Sequence, residues 1–177
     1  MEEININGLK IIKGFRFKDN RGELMKPFSV TFDKSEDLQI KEVWFTMSHL
    51  NVVRAMHMQV GPMATQKFVT PISGAILDVI VDCRPSSSTF RNVFMKKINA
   101  IDNIALKIPK GCAHGYRVLS ENTVVMYMAD NIHDGKNDIG FKWNSFGFDW
   151  GTINPIISDR DIDLPNIENL DFEKITY

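Results

Sequence analysis

Two histidines, an arginine and a lysine lie within or beside runs of residues that favour β-strands. Arg54 and His57 share one such run, Lys67 follows ten residues after His57, and His114 stands further along the chain. Histidine exchanges protons near neutral pH, whereas lysine and arginine can hold a developing oxyanion or a phosphate. These residue types therefore indicate a proton-transfer site that handles an anionic substrate.

The neighbours of His57 leave two interpretations open. It lies between Met56 and Met58, where a lone histidine can equally be a structural residue. Arg54 and Lys67 favour the chemical interpretation, because a buried cation needs an anionic partner. Strict alternation along a strand puts Arg54 and His57 on opposite faces, so a bulge or a twist must intervene if both are to reach one pocket.

His114 and Tyr127 are two further candidates. His114 precedes a predicted strand, Gly115–Leu119, and would lie at its start, where it could also simply bond the backbone. Tyr127 is central in another predicted strand and is either a core tyrosine with a satisfied hydroxyl or a proton donor. The residues alone leave both alternatives open.

Metal binding is the rival use of histidine. The chain has four histidines, but they form no HxH pair with a nearby glutamate at the spacing of metal-binding β-barrels, so we expect no metal. The glycine-rich and GxSxG patterns of dinucleotide-binding enzymes, phosphoryl-transfer enzymes and serine hydrolases are also missing, which favours chemistry without a cofactor. The four histidines are His49, His57, His114 and His133.

Length, charge and cysteine content indicate what kind of protein contains these residues. The chain has 177 residues, of which 44% are hydrophobic, and this predicts a single folded domain over residues 1–177. A net charge of -1 indicates neither a nucleic-acid surface nor a membrane-binding face. Two cysteines without a disulfide or zinc pattern, an acidic N-terminus and the lack of a long apolar run predict a soluble, cytoplasmic protein.

The elements that position the candidates are predicted to be β-strands. Short β-branched and aromatic runs, separated by glycine-containing turns, are typical of an all-β jelly roll. Only short helical segments are predicted, near Ser35–Asp37 and Ser158–Ile162, and Ser158 can cap the second. From Asp130 the chain is loop-rich, and its aromatic residues are expected to pack over a sheet. The main predicted strands are Phe28–Phe32, Glu42–Met47, Val52–Val60, Gly74–Val81 and Thr123–Met128.

The candidate residues belong to a longer series of short segments. They are Asp19–Gly22, Ser48, Val53–Gln59, Pro62, Gln66–Lys67, Gly74–Arg84, Ser88–Phe90, Ile108–Gly111, Ala113–Gly115, Leu119–Ser120, Tyr127 and Ile157–Asp161. In this order and spacing, over most of the chain, they resemble the dTDP-4-dehydrorhamnose 3,5-epimerase family. The resemblance implies a cupin-like jelly roll that epimerises C3, C5 or both of a nucleotide-diphosphate-linked 4-keto-6-deoxyhexose or related heptose, with no cofactor, in deoxysugar biosynthesis.

The resemblance also implies roles for individual residues. His57 would remove a proton next to the keto group, and Asp161 would accept a hydrogen bond from its other ring nitrogen. Lys67 would neutralise the enolate oxygen, and Tyr127 would return a proton from the opposite face of the sugar. Family members are homodimers, so Arg21 is expected to reach a diphosphate in the neighbouring subunit. The substrate-binding residues implied are Arg21, Arg54, Gln59, His114 and Arg160, the last where relatives usually carry lysine.

Three departures from the family pattern bear on the substrate. Ala55 replaces the usual glycine between the arginine and the histidine, Glu42–Trp44 replaces a glutamine and an asparagine that often face the nucleotide, and Ile132–His133 replaces an aromatic pair. Three alternative functions remain open: a 3-epimerase that leaves C5 alone, a 3,4-ketoisomerase on the same barrel, and a non-catalytic sugar-nucleotide binding module.

Overall fold

A computed structural model describes residues 4–33 and 38–177 of the chain and consists mainly of antiparallel strands. Two short helices, α1 (Val30–Asp33) and α2 (Asp159–Ile162), accompany them. The strands are β1 Lys10–Lys13, β2 Phe15–Asp19, β3 Gly22–Lys26, β4 Glu42–Ser48, β5 Val53–Gln59, β6 Lys67–Ser73, β7 Ala75–Asp82, β8 Val93–Asn99, β9 Ile104–Ile108, β10 Cys112–Val118, β11 Thr123–Ala129 and β12 Asp138–Gly140.

The strands form two five-stranded sheets and a separate hairpin. The first sheet has the order β1-β9-β6-β11-β4, the second has the order β12-β5-β10-β7-β8, and β2 pairs with β3. Apolar side chains from both sheets pack into one buried cluster, so the two sheets lie face to face. This arrangement confirms the predicted all-β jelly-roll architecture.

Alternation along the strands decides which side chains enter the space between the sheets. On β4, Glu42, Trp44 and Thr46 are half-buried, whereas Val43 and Phe45 are exposed on the outer face. The inward residues of β4 stand beside those of β11, since the two strands pair in register. One face of β4 therefore supplies polar and aromatic groups to the interior.

The C-terminal third covers the outer face of the second sheet. Phe141 and Trp150 are fully buried there, and Trp143, Phe146 and Phe148 pack against the same cluster. The Trp150 indole N–H donates to the Trp143 carbonyl oxygen over 2.7 Å, which satisfies its polar atom. The prediction that these aromatic residues pack over a sheet is confirmed, and β5 is enclosed on the side away from the cavity.

Two expectations about strands are wrong. Phe28–Phe32 does not form a strand: its second half enters α1, where the Phe32 N–H donates to the Ser29 carbonyl oxygen. Phe28 instead packs on Phe68 with ring centroids 4.5 Å apart, so tertiary packing overrides the strand propensity of the segment. His114 lies inside β10 rather than ahead of it, because that strand begins at Cys112.

The second predicted helical segment is confirmed. Ser158 caps α2, and its hydroxyl accepts a hydrogen bond from the Asp161 N–H. The other predicted segment, Ser35–Asp37, lies outside the described residues. None of the helices described is long and apolar enough to cross a bilayer.

Candidate active site

A cavity of about 970 Å³ opens between the two sheets. Its volume is at the upper end of the range for small-molecule sites. Strands β4, β5, β6, β10 and β11 contribute to its wall, together with loops from the C-terminal third. Of the nine predicted site residues, all but Arg21 line this cavity: Arg54, His57, Gln59, Lys67, His114, Tyr127, Arg160 and Asp161.

A bulge in β5 lets Arg54 and His57 reach the same cavity. His57 pairs with His114, and Arg54 pairs with Tyr116. The two positions are three residues apart on β5 but only two apart on β10, so β5 contains one extra residue here. The extra residue resets the alternation, as the sequence required. The Ala55–Met56 peptide bond within the bulge is cis.

Glycines leave room for the bulge on both neighbouring strands. A Cβ added to Gly140 of β12 would collide with the Met56 carbonyl oxygen, and one added to Gly115 of β10 would lie 2.6 Å from the Ala55 Cβ. Both approaches are closer than any larger residue allows. The backbone that shapes the site is therefore specified by three adjacent strands.

His57 is paired with the carboxylate of Asp161. The His57 Nε2 atom lies 2.9 Å from Asp161 Oδ1, and the Ala55 N–H donates to Asp161 Oδ2. Burial alone would raise the pKa of Asp161, but the bond and charge of His57 and the backbone bond from Ala55 together lower it below its ordinary value. Nδ1 of His57 is buried and makes no hydrogen bond within the described residues.

Lys67 brings a cation to the cavity from the start of β6. It pairs in register with Ala129 of β11 and makes no hydrogen bond through its ammonium within the described part of the chain. Burial lowers the pKa of Lys67, and the charge of Arg160 acts in the same direction, whereas Asp138 opposes the shift. An anionic atom in the cavity would supply the partner that this ammonium lacks.

His114 forms a second histidine–carboxylate pair. Its Nε2 atom lies 2.9 Å from Asp78 Oδ2, and both side chains are buried. Burial raises the pKa of Asp78, although His114 opposes the rise. The sequence analysis missed Asp78; the available signal was a single carboxylate in the middle of the apolar strand Gly74–Val81, where a partner is needed.

Tyr127 is held between two rings in the cavity wall. Its ring is parallel to that of Trp44, with centroids 4.9 Å apart, and it meets His114 edge-on at 5.8 Å. Only 7% of Tyr127 is exposed. Burial raises the pKa of Tyr127 well above its ordinary value, with a smaller contribution in the same direction from Tyr116. The phenol is therefore protonated at neutral pH and can act as an acid.

Arg160 and Gln59 line the cavity but are also bound to other parts of the protein. Arg160 donates to Asp138 Oδ2 over 2.8 Å, which raises the pKa of the arginine. Gln59 donates through its amide to Thr65 and to the Ile132 carbonyl oxygen and accepts from the backbone N–H of Asp134. Gln59 thus ties two loops to β5, and its amide is engaged with the protein.

Asp138 is a second residue that the sequence analysis missed. It lies on β12 at the cavity, is 9% exposed, and its Oδ1 atom is buried with no hydrogen bond in the described structure. Its partner Arg160 was predicted, but the carboxylate is in a loop-rich region where spacing gives no signal.

Arg21 does not reach the cavity of its own chain. It lies on the β2–β3 hairpin, where it forms an ion pair of 2.6 Å with Asp19 and is 84% exposed. The bond to Asp19 raises the pKa of Arg21. Arg21 is therefore the one predicted site residue that the structure does not bring to this cavity.

The groups gathered in the cavity are suited to proton transfer at carbon. A histidine with an orienting carboxylate can remove a proton, an unpaired ammonium can hold the resulting oxyanion, and a protonated phenol can return a proton. Within residues 4–33 and 38–177, no group of three or more histidine, cysteine or acidic side chains is placed to hold a metal ion.

Comparisons with known proteins agree with this chemistry. A family model for dTDP-4-dehydrorhamnose 3,5-epimerase matches residues 3–169. A dTDP-4-dehydrorhamnose 3,5-epimerase from Shigella flexneri is 32% identical over 161 residues, which cover 88% of this chain and 89% of that protein.

Solved structures of similar fold are also epimerases. A dTDP-4-dehydrorhamnose 3,5-epimerase from Bacillus anthracis with TDP and PPi bound has a TM-score of 0.88 at 30% identity, covering 94% of this chain and 98% of that one. A 4-keto-6-deoxy sugar epimerase from the novobiocin biosynthetic gene cluster of Streptomyces spheroides has a TM-score of 0.89 at 26% identity, covering 98% of this chain and 90% of that one. The chain is similar to both over nearly its whole length.

Proposed function

The chain belongs to the dTDP-4-dehydrorhamnose 3,5-epimerase family of isomerases acting on nucleotide sugars, and we propose that His57 and Tyr127 carry out its reaction from opposite faces of the sugar ring. The observation that carries this proposal is the placement of both side chains in one cavity with Lys67. Inversion of a carbon centre needs one group to remove the proton and a different group to deliver one from the other side.

Proton removal is assigned to His57. The carbon next to a keto group becomes acidic when the enolate oxygen is stabilised, and Lys67 is the cation that supplies this stabilisation. Asp161 keeps His57 in one tautomer and favours the imidazolium that forms. The lowered pKa of Asp161 supports this role, because the carboxylate stays ionised throughout the cycle.

Proton return is assigned to Tyr127. Its buried hydroxyl is protonated at neutral pH, as the raised pKa requires, and its ring is fixed between Trp44 and His114. Transfer of the phenol proton to the enolate carbon inverts the centre. His114 and Arg54 contribute polar groups to the same cavity wall, next to the position proposed for the keto oxygen.

The substrate proposed is a nucleotide-diphosphate-linked 4-keto-6-deoxyhexose or a related heptose. Arg54, Lys67 and Arg160 give the cavity the positive charge that a diphosphate and an enolate need. A dTDP-linked hexose is the first substrate to test, because dTDP-4-dehydrorhamnose is in the names of the relatives. Glu42 and Trp44 line the cavity where the family pattern has glutamine and asparagine, so the contacts to nucleotide or sugar differ there.

We further propose a homodimer in which the β2–β3 hairpin reaches the partner's cavity. Apolar side chains are exposed on this hairpin and on the outer face of β4, an edge strand, and a second copy of the chain would bury them. In such a dimer Arg21 would approach the diphosphate bound by the other subunit. The exposed residues are Phe15, Phe17, Leu24 and Met25 on the hairpin and Val43, Phe45 and Met47 on β4.

A cytoplasmic location is proposed from the state of the two cysteines. Cys83 and Cys112 are both free and buried. Burial raises the pKa of Cys83 to about 12 and raises that of Cys112 as well, so both thiols stay protonated and unreactive. Buried free thiols fit a reducing compartment.

One experiment tests the substrate and the reaction together. The protein is incubated in deuterium oxide with dTDP-, GDP- and CDP-linked 4-keto sugars, and the products are read by mass spectrometry and proton NMR. Deuterium at C3 or at both C3 and C5, with inversion, supports the proposal and says which centres react. Movement of the carbonyl would identify a ketoisomerase, and saturable binding without exchange would identify a binding module.

A further inference from the structure

Two residues on the edge strand β4 face the cavity at a distance from the proposed reaction site. Glu42 and Trp44 both line the cavity, and their half-buried positions alternate with the exposed Val43. Glu42 pairs in register with Ala129 of β11, and Ala129 pairs with Lys67 of β6. Neighbouring strands lie about 4.8 Å apart, so roughly 10 Å separates the Cα atoms of Glu42 and Lys67 across the sheet. A sugar held at Lys67 thus leaves the β4 end of the cavity to the rest of the ligand.

The ring of Trp44 offers a flat surface at this end. It is parallel to the Tyr127 ring within 3°, and the centroid distance of 4.9 Å matches the spacing of two paired strands. Both ring planes therefore run along β4, and the Trp44 face that Tyr127 leaves open is turned to the free edge of the sheet. No other aromatic ring of residues 4–33 and 38–177 pairs with Trp44. A planar base stacked there would lie alongside Glu42, two positions earlier on the same face of the strand.

The Glu42 carboxylate has an oxygen that can still accept a hydrogen bond. Its Oε2 atom accepts the backbone N–H of His133 over 3.0 Å, whereas Oε1 makes no hydrogen bond within the described structure. Glu42 also forms no ion pair with a described residue; its neighbour Lys41 donates instead to the Asn131 amide oxygen over 3.3 Å. A carboxylate only accepts hydrogen bonds, so it requires an N–H or O–H donor on the ligand.

Nucleobases differ in what they present to such an acceptor. The pairing edge of thymine or uracil has one N–H between two carbonyl groups, so a carboxylate that reaches the N–H also meets a carbonyl oxygen, which repels it. Guanine and cytosine carry an exocyclic amino group that donates to a carboxylate. Glutamine, the residue of the family pattern at this position, both donates and accepts and therefore suits thymine, whereas Glu42 lacks the donor.

We propose that Glu42 and Trp44 form the base site and select a nucleotide whose base carries an exocyclic amino group, guanine or cytosine, over one with thymine or uracil. The inference rests on the function proposed above, because it assigns the base of the same nucleotide sugar. The amino group donates to Glu42 while the base stacks on Trp44. The diphosphate lies nearer Lys67, because the Glu42 carboxylate repels it.

Binding of nucleoside diphosphates to the intact protein tests this without turnover. Titration calorimetry compares two matched pairs of ligands: CDP with UDP, and GDP with inosine diphosphate, which lacks the amino group of GDP. In wild type the amino-bearing member of at least one pair should bind about ten-fold or more tightly, the effect expected for a hydrogen bond to a charged group. The pair that shows this preference identifies the base as cytosine or guanine.

Glu42→Gln is the deciding variant, because it keeps the shape of the side chain and adds a donor. The preference within the pair should largely disappear, and dTDP and UDP should bind more tightly than they bind to wild type. Trp44→Leu should weaken all the nucleotides about ten-fold through lost stacking, with the ratio within the pair kept.

Glu121→Gln is the matched control. Glu121 is exposed and lies outside the cavity, and its carboxylate also accepts a backbone N–H, that of Leu50. This variant should keep every affinity at the wild-type value.

Four results would overturn the inference. Equal affinities within both pairs in wild type would show that no amino group is recognised. An unchanged preference in Glu42→Gln would assign the preference to another residue, and loss of all binding in that variant would show that Glu42 only maintains the site. A difference between CDP and dCDP, or between GDP and dGDP, that Glu42→Gln abolishes would place Glu42 at the pentose.

The same data separate this inference from the proposed function. A wild-type protein that inverts a 4-keto sugar but fails these binding tests keeps the proposed function and loses the base site. One that binds no nucleoside diphosphate and converts no sugar loses both.

Discussion

His57 Nε2 lies 2.9 Å from Asp161 Oδ1, although 104 positions separate the two residues in the chain. One comes from the bulged strand β5 and the other from α2, a helix of one turn capped by Ser158. The carboxylate also receives the Ala55 N–H, so it contacts the bulge and the base together. The position of His57 therefore depends on Asp161.

Asp161→Asn should lower the rate of proton removal about a hundred-fold or more, because a neutral amide neither orients the imidazole nor stabilises its protonated form. The measurement is solvent deuterium uptake into the substrate. Asp159→Asn is the control, since Asp159 belongs to the same helix and is exposed. Wild-type uptake in Asp161→Asn would remove the carboxylate from the mechanism.

Asp161 should also contribute to the pH dependence of stability. Its pKa in the folded state is lower than the ordinary 3.8, so its ionised form stabilises the fold above that value and the contribution is lost as the pH falls through the lowered pKa. The difference in free energy of unfolding between wild type and Asp161→Asn should be largest near neutral pH and shrink below about pH 4. Urea denaturation across this range measures it. A difference that grows in acid would contradict the assignment.

Lys67→Met should remove activity and raise stability at the same time. Loss of the cation that faces the enolate oxygen should slow the reaction about 10²- to 10³-fold. The free energy of unfolding at neutral pH should rise, because burial disfavours the charged form of Lys67. This gain should fade as the pH rises through the lowered pKa of Lys67, where the wild-type side chain becomes neutral.

The control for Lys67→Met is Lys97→Met, on the exposed face of β8. It should change neither the rate nor the pH dependence. Stability that falls in Lys67→Met at neutral pH would mean that the ammonium is paired in the folded protein, contrary to its environment in the structure.

Tyr127→Phe should separate the two halves of the reaction. The phenol is assigned to proton return alone, so the variant should still take up deuterium while net inversion falls about 10²-fold or more. Mass spectrometry follows uptake, and proton NMR of the sugar follows inversion. Equal loss of both processes, or of neither, would remove Tyr127 from its proposed role.

Mixed dimers test whether Arg21 acts in the neighbouring subunit. His57→Asn should be inactive alone and Arg21→Ala only weakly active. A mixture refolded together should regain activity, because one of its two sites then has both His57 and the partner's arginine. A mixture of His57→Asn with Asp161→Asn is the control: both changes fall within one subunit's site, and activity should not return. Equal behaviour of the two mixtures would contradict a shared site.

Much of the architecture could be predicted from the alternation of residues in short apolar runs. Four of the five main predicted strands correspond to β4, β5, β7 and β11, with ends that differ by at most one residue. The strand predicted at Phe28–Phe32 does not form for a physical reason. Phe28 packs its ring on Phe68, and the segment pairs with no neighbouring strand. Strand propensity does not distinguish these two outcomes.

The site was harder to predict because its partners are distant in sequence. Arg54 and His57 pointed to a bulge, and the register shift in β5 supplies it. Asp78 and Asp138 were missed because the partner of each lies far away in the sequence. Asp78 is bonded by His114 of β10, and Asp138 by Arg160 of α2. The contact between Tyr116 and Thr46 joins the two facing sheets, and neither strand alone indicates it.

The most direct test of the assignment is solvent deuterium uptake by His57→Asn. Wild-type protein and His57→Asn are incubated in deuterium oxide with a 4-keto sugar nucleotide that the wild type converts, and His49→Asn, an exposed histidine outside the cavity, serves as the control. We expect uptake by the wild type and by His49→Asn and none above background by His57→Asn. Uptake by His57→Asn at the wild-type rate would contradict the assignment of His57 as the base.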